Sequence, residues 1–92
     1  MSPFKIIETK GFLEDISQDF RGQHKAIIQK LKDYVYPQLS LQPYFGKNIK
    51  KLRDYQPPTW RYRIGHYRFF YEIDDKFHLV IMISADDRSS AY

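Results

Sequence analysis

The sequence predicts an α+β fold of order β-α-α-β-β-β, with a two-helix hairpin packed on one face of a small, mostly antiparallel twisted sheet. Three observations carry that expectation. Apolar residues recur at helical spacing through residues 9–36. The stretch from Trp60 to Tyr71 alternates about a tight turn, and a near-continuous apolar run, Leu79-Val80-Ile81-Met82-Ile83, follows it. A chain of 92 residues with 42% hydrophobic and 17% aromatic content can fill one core without staples, so residues 1–92 read as a single domain.

Taken in order, Phe4-Lys5-Ile6-Ile7-Glu8 reads as a first strand. Phe12, Leu13, Ile16 and Phe20 then mark a helix beginning near Thr9. Arg21-Gly22-Gln23 interrupts it, since glycine weakens a helix interior. A second helix is expected from about Gln23 to Tyr36, burying Ile27, Ile28, Leu31, Tyr34 and Val35, with Pro37 stopping it. Residues 37–59 read as irregular, with Asn48-Ile49-Lys50-Lys51-Leu52 the one candidate for short regular structure. Asp74-Asp75-Lys76 turns the chain into a last strand, Phe77 to Ser84, expected to be central and covered on both faces. Its register does not follow from its periodicity. No internal repeat or low-complexity segment is present.

The hairpin is the most informative part. Gly65-His66 suits the centre of a type II′ turn, whose first position takes a positive φ. In that register Ile64 faces Tyr67, Tyr62 faces Phe69 and Trp60 faces Tyr71, and all six share the core side. Arg61, Arg63, Arg68 and Phe70 then share the other side, with Arg63 opposite Arg68. Like charges placed opposite one another destabilise a sheet unless something relieves them, and a bound anion would. Guanidinium groups bind phosphate in bidentate fashion and stay charged at any physiological pH. A solvated basic face is the alternative, and three arginines on one side favour anion binding over it.

Net charge is +4, and seven of the fifteen basic residues fall between Lys47 and Arg68. Lys47, Lys50, Lys51 and Arg53 read either as a solvated loop or as a rim that tracks a nucleic-acid backbone. Phe70, beside the arginines, is a base-stacking candidate, and Tyr44 and Tyr92 are further ones without positional support. There are no cysteines, so disulfides and thiolate metal sites are excluded, and His24, His66 and His78 lie in three different elements. No metal or cofactor is expected. No phosphate loop, nucleophile elbow or dinucleotide fingerprint appears. The apolar runs are too short to span a bilayer and the N-terminus lacks signal-peptide architecture, so the chain reads as cytoplasmic.

Asn48-Ile49-Lys50-Lys51-Leu52-Arg53, the run Trp60-Arg61-Tyr62-Arg63-Ile64-Gly65-His66-Tyr67-Arg68-Phe69-Phe70-Tyr71, and the terminal Arg88-x-x-x-Tyr92 together resemble the RelE/ParE superfamily of bacterial and archaeal toxins, in its RelE-like branch. The resemblance spans nearly the whole chain, element order included. It implies the toxin of a type II toxin–antitoxin pair, held inactive by an acidic antitoxin. It further implies entry into the ribosome and metal-independent cleavage of mRNA through the 2′-hydroxyl, which would make this an endoribonuclease that inhibits translation. By the same resemblance Arg61, Arg63, Arg68, Arg88 and Tyr92 are the catalytic set. Arg68 would stabilise the pentacoordinate phosphate, Tyr92 would stack or orient a nucleotide, and Arg61 and Arg63 would bind phosphate.

Two positions depart from the pattern. Several relatives carry lysine where this chain has Arg61 or Arg63, and arginine is a very poor general base. Many carry histidine where this chain has Asp87, and Asp86 and Asp87 place negative charge beside the proposed phosphate site. Either aspartate could act as a base or pair with Arg88. The alternatives are therefore a ParE-like inhibitor of DNA gyrase that cleaves nothing, and a decayed toxin that only binds its antitoxin.

Overall fold

The computed structural model describes residues 3–19 and 24–87. Strand β1 (Lys5–Glu8) leads into helix α1 (Lys10–Asp19), and α2 (His24–Lys30) runs through a π-helical turn (Leu31–Val35) into α3 (Tyr36–Leu41). Four strands follow, β2 (Ile49–Lys51), β3 (Trp60–Ile64), β4 (Tyr67–Asp74) and β5 (Leu79–Asp87). They form one five-stranded sheet of order β1-β5-β4-β3-β2. Only β1 with β5 is parallel, and the other three pairings are antiparallel. The predicted α+β architecture is the observed one. The break expected at Arg21-Gly22-Gln23, together with Phe20, lies outside the described residues.

Helices α1 and α3 are tied to the sheet by polar contacts as well as packing. Thr9 Oγ1 accepts from the Phe12 N–H at 3.2 Å, capping α1, and donates to the Met82 carbonyl at 2.8 Å on β5. Asp15 on α1 accepts from the Ala85 N–H at 3.0 Å. On the far edge Ser40 of α3 donates its hydroxyl to the Phe4 carbonyl, and the Phe4 N–H donates to the Ser40 carbonyl. Phe12, Ile16, Ile27, Leu31, Val35 and Leu39 from the helices meet Trp60, Tyr62, Tyr67, Phe69, Tyr71, Val80, Met82 and Ala85 from the sheet. Burying a large apolar side chain of this kind contributes roughly 1.5–3 kcal/mol. The buried tyrosines find partners as they must: Tyr62 Oη donates to Gln38 at 2.7 Å and Tyr71 Oη to the Pro43 carbonyl at 2.7 Å.

Three expectations need correction. Pro37 does not stop the second helix. The Tyr36 N–H reaches back to the Leu31 carbonyl in the π-helical turn, and Pro37 falls at the first turn of α3, where a missing N–H costs nothing. That turn also swings Tyr34 outward to 60% exposure, and Leu13 on α1 is 47% exposed, so neither belongs to the core. The last strand is interior to the sheet as expected, but it starts at Leu79, runs on to Asp87 and is buried mainly on its helix side. Among the described residues no helix lies on the other face of the sheet.

Candidate nucleic-acid interface

The β3–β4 hairpin has the register its alternation implies, with Trp60 opposite Tyr71, Tyr62 opposite Phe69, Arg63 opposite Arg68 and Ile64 opposite Tyr67. Gly65 takes φ +59, and His66 does not share the positive sign. That combination of signs is the one a type II′ turn requires. Every aromatic of this hairpin except Phe70 is buried on the helix side.

Arg61, Arg63, Arg68 and Phe70 therefore lie together on the open face. Lys50 joins them, because β2 pairs Lys50 with Arg61. Beside β2 the face deepens into a groove of about 540 Å³ lined by Lys47, Asn48, Ile49, Lys50, Arg61, Arg63, Ile64 and Gly65, with no acidic residue in its wall. Among the described residues Lys47, Lys50, Arg61 and Arg63 have no carboxylate partner. Arg61 is half-buried, and its Nε is buried with no hydrogen-bond partner among the described residues. A donor in that condition is costly unless an anion or water meets it.

Arg68 is in a different state. Its Nε donates to Asp86 Oδ1 at 2.9 Å and its Nη2 to Asp86 Oδ2 at 2.8 Å, a two-point fork. The pair exists because of a bulge. Tyr71 faces Met82 but Phe70 faces Ser84, so Ile83 is the extra residue in β5. Without it Arg68 would face Ala85, and Asp86 would point to the opposite side of the sheet. The slip buries Ala85 in the core and brings Asp86 out beside Arg68. The sequence reading held Asp86 as a base or a partner for Arg88, and missed Arg68 as its partner.

The remaining predicted residues divide. Lys51 is adjacent in sequence to Lys50 but points to the other side of the strand, its Nζ 5.4 Å from the Trp60 ring centroid. It lines a separate groove with Tyr44, Phe45, Pro58 and Trp60. Arg53 is exposed in the turn after β2, beside Asp54 and Tyr55 and away from the basic groove. Tyr44 packs edge-on against Trp60 at 5.9 Å and against Phe4 at 6.0 Å, on the helix side. Phe70 is half-buried between its register partners Arg61 and Ser84. Tyr67 is buried on the helix side, and burial, then the charge of Asp87, raises its hydroxyl above the ordinary 10.0. Arg88 and Tyr92 lie outside the described residues. Asn48, Ile49, Ile64 and Gly65 also line the groove and are not among the residues predicted for the site, although all but Gly65 flank one that is.

The geometry can hold a run of phosphates. Arg61 and Arg63 are two residues apart on one strand, a repeat of about 6.7 Å. Lys47 and Lys50 extend the positive wall on one side and Arg68 on the other. Phe70 offers a partly exposed ring within the same face.

No family model and no curated protein matches the sequence. The fold does have solved counterparts. It is similar to the toxin–antitoxin complex RelBE2 from Mycobacterium tuberculosis, with TM-score 0.75 and 26% identity over 97% of this chain and 95% of that one. It is similar also to the archaeal RelE–RelB complex from Pyrococcus horikoshii, with TM-score 0.67 and 15% identity over 94% of this chain and 96% of that one. A third counterpart is a double arginine-to-alanine variant of Escherichia coli toxin RelE in the free state, with TM-score 0.64 and 19% identity over 99% of this chain and 88% of that one. The last two likenesses concern fold alone.

Proposed function

We propose that this chain, whose fold is that of the RelE-like toxins, is the toxin of a type II toxin–antitoxin pair and cleaves mRNA on the ribosome. The observation that carries the reading is the basic groove of Lys47, Lys50, Arg61 and Arg63, which among the described residues have no carboxylate partner. The groove is continuous with Arg68 and lies on the sheet face that no helix covers. An antitoxin partner is supported by the RelB-bound counterparts, and its inhibiting segment is acidic because the surface it must cover is basic.

In this reading residues 1–92 work as one cytoplasmic domain that needs no metal or cofactor. The 2′-oxygen of one ribose gives up its proton to water and attacks the adjacent phosphorus, while the bond from phosphorus to the next 5′-oxygen breaks and that oxygen takes a proton from water. That leaves a cyclic phosphate and a 5′-hydroxyl. Arg61, Arg63 and Arg68 act on the charge that accumulates on the non-bridging oxygens, since guanidinium remains protonated and cannot serve as the base. Arg88 and Tyr92 complete the set, with Tyr92 orienting a nucleotide. Phe70 stacks a base and Lys47 and Lys50 follow the backbone. A second reading, a toxin that binds its antitoxin but no longer cuts, is favoured by one observation, the engagement of Arg68 by Asp86.

The experiment is induced expression of wild type and Arg68→Ala in a bacterium, with mRNA 5′ ends mapped after growth arrest. In-frame cleavages that vanish in the variant, while the purified variant keeps its fold, are the expected result. Arrest with intact mRNA and gyrase-linked DNA damage would replace this reading by gyrase inhibition. Absence of arrest would leave the binding-only reading.

A further inference from the structure

We propose that Asp86 is an intramolecular competitor for the RNA phosphate: it occupies the guanidinium edge of Arg68 that a phosphate takes, so Arg68 joins the site only when a bound phosphate displaces the carboxylate. The inference rests on the RNA reading of the groove and deepens it, by making Asp86 a determinant of how tightly that site holds its ligand.

Four observations lead there. The fork itself is the first. Both Asp86 oxygens meet adjacent donors of one guanidinium edge at 2.8 and 2.9 Å, the arrangement a phosphate forms with arginine. The second is exposure, with the side chains 27% and 43% accessible for Arg68 and Asp86. A pair so open to water is screened and readily exchanged, unlike a buried one.

The third is position. Along one row of the sheet lie Arg63, Arg68 and Asp86, each opposite the next. Asp86 reaches Arg68 only from the β5 side. A phosphate arriving from the groove meets Arg63 as well, across a pair whose Cβ atoms are about 5 Å apart. The incoming anion therefore gains two guanidiniums where the carboxylate holds one, which favours the exchange.

The fourth is the bulge at Ile83. A regular β5 would put Ala85 opposite Arg68 and leave the guanidinium free. The extra residue is what delivers the carboxylate to the open face. Bulges of this kind re-aim a side chain, and here the re-aimed side chain is the one that caps Arg68.

Two measurements test this. The first uses wild-type protein and inorganic pyrophosphate, and so does not depend on RNA binding or on any variant folding. With NMR signals assigned for the Arg68 Nε–H and the Asp86 carboxylate carbon, both are expected to shift together and saturably as the groove fills. Saturation of the groove with the Asp86 signal unmoved would overturn the proposal, as would a complete failure of pyrophosphate to bind.

The second compares wild type, Asp86→Asn and Asp33→Asn for binding a labelled single-stranded RNA oligonucleotide across a salt series. Both substitutions remove one negative charge, and Asp33 lies on the helices, where it accepts from Gln29. Asp86→Asn is expected to bind roughly two- to fivefold tighter than Asp33→Asn, the competing surface pair having gone. Its salt slope should be steeper, because in the wild type added salt also screens the Arg68–Asp86 pair that competes with the phosphate. Equal or weaker binding by Asp86→Asn would make Asp86 a brace for Arg68 rather than a competitor. Failure of every form to bind RNA, with the pyrophosphate response intact, would overturn the RNA reading and leave the competition standing.

Discussion

Arg63 and Arg68 face each other across β3 and β4 as a closely spaced pair. The Arg63 N–H donates at 2.9 Å to the Asn48 carbonyl beside β2, away from β4, so the two arginines occupy the non-hydrogen-bonded kind of site in which side chains approach most. Like charges there oppose folding. Asp86 relieves Arg68, while Arg63 faces the groove with no carboxylate partner among the described residues. The cost of holding Arg63 in place is therefore borne by the free protein, and an anion bound in the groove would offset it.

The first prediction follows directly. Arg63→Gln keeps an unbranched polar side chain, shorter than arginine, and removes the repulsion, so stability should change by no more than about 0.5 kcal/mol, and upward if at all. RNA affinity should fall, and the salt slope should drop by about 0.7 for the lost phosphate contact. Urea unfolding and oligonucleotide binding at several salt concentrations measure the two. A stability loss above 1 kcal/mol would show that Arg63 is a structural residue.

Pro37 supports a second. Were it a proline forced into a helix interior, replacing it by alanine would recover about 3 kcal/mol. It stands instead after the π-helical turn, at the first turn of α3, where its ring meets no requirement for an N–H. Pro37→Ala should thus lower stability slightly, by up to about 1 kcal/mol, through the greater freedom of the unfolded chain. A gain of 2 kcal/mol or more in urea unfolding would contradict the assignment.

These two cases show what the sequence discloses. The hairpin was legible to the residue, because strict alternation around Gly65 leaves one register that buries every aromatic but Phe70. The helix through Pro37 was not, since a breaker rule looks at one residue and does not anticipate a π-helical turn, here with Leu31 and Val35 buried, just ahead of the proline. Asp86 was illegible for a related reason. Its partner depends on a one-residue bulge inside Leu79–Ile83, an apolar run with no period to reveal a slip. Lys51 was a missed inference rather than a hidden one: once Lys50 and Lys51 share a strand, they cannot share a face.

Gly65 gives a third prediction. Its φ is +59, and a Cβ built there would meet nothing within 4 Å. The penalty for Gly65→Ala is therefore conformational alone, about 1 kcal/mol, with the open face and its groove otherwise intact. Urea unfolding should register that loss. An unchanged midpoint would mean that the turn does not need the positive φ.

The last concerns alkaline pH. Burial first, and then Glu8, which accepts from Tyr36 Oη at 2.6 Å, raise the Tyr36 hydroxyl far above the ordinary 10.0. Burial also raises Tyr71, with a smaller contribution from Tyr62. In the unfolded chain both hydroxyls lose their protons near pH 10.0, while the folded chain keeps them. Below that pH neither state is ionised and the contribution of both tyrosines is fully present. Above it the unfolded state binds fewer protons, so stability falls as pH rises, by at most about 1.4 kcal/mol per pH unit for each tyrosine. Tyr36→Phe should flatten that decline, and Tyr36→Phe/Tyr71→Phe should flatten it further, in urea titrations run from about pH 8 to about pH 11. An equally steep decline in the double variant would show that Tyr36 and Tyr71 are not the source of the alkaline sensitivity.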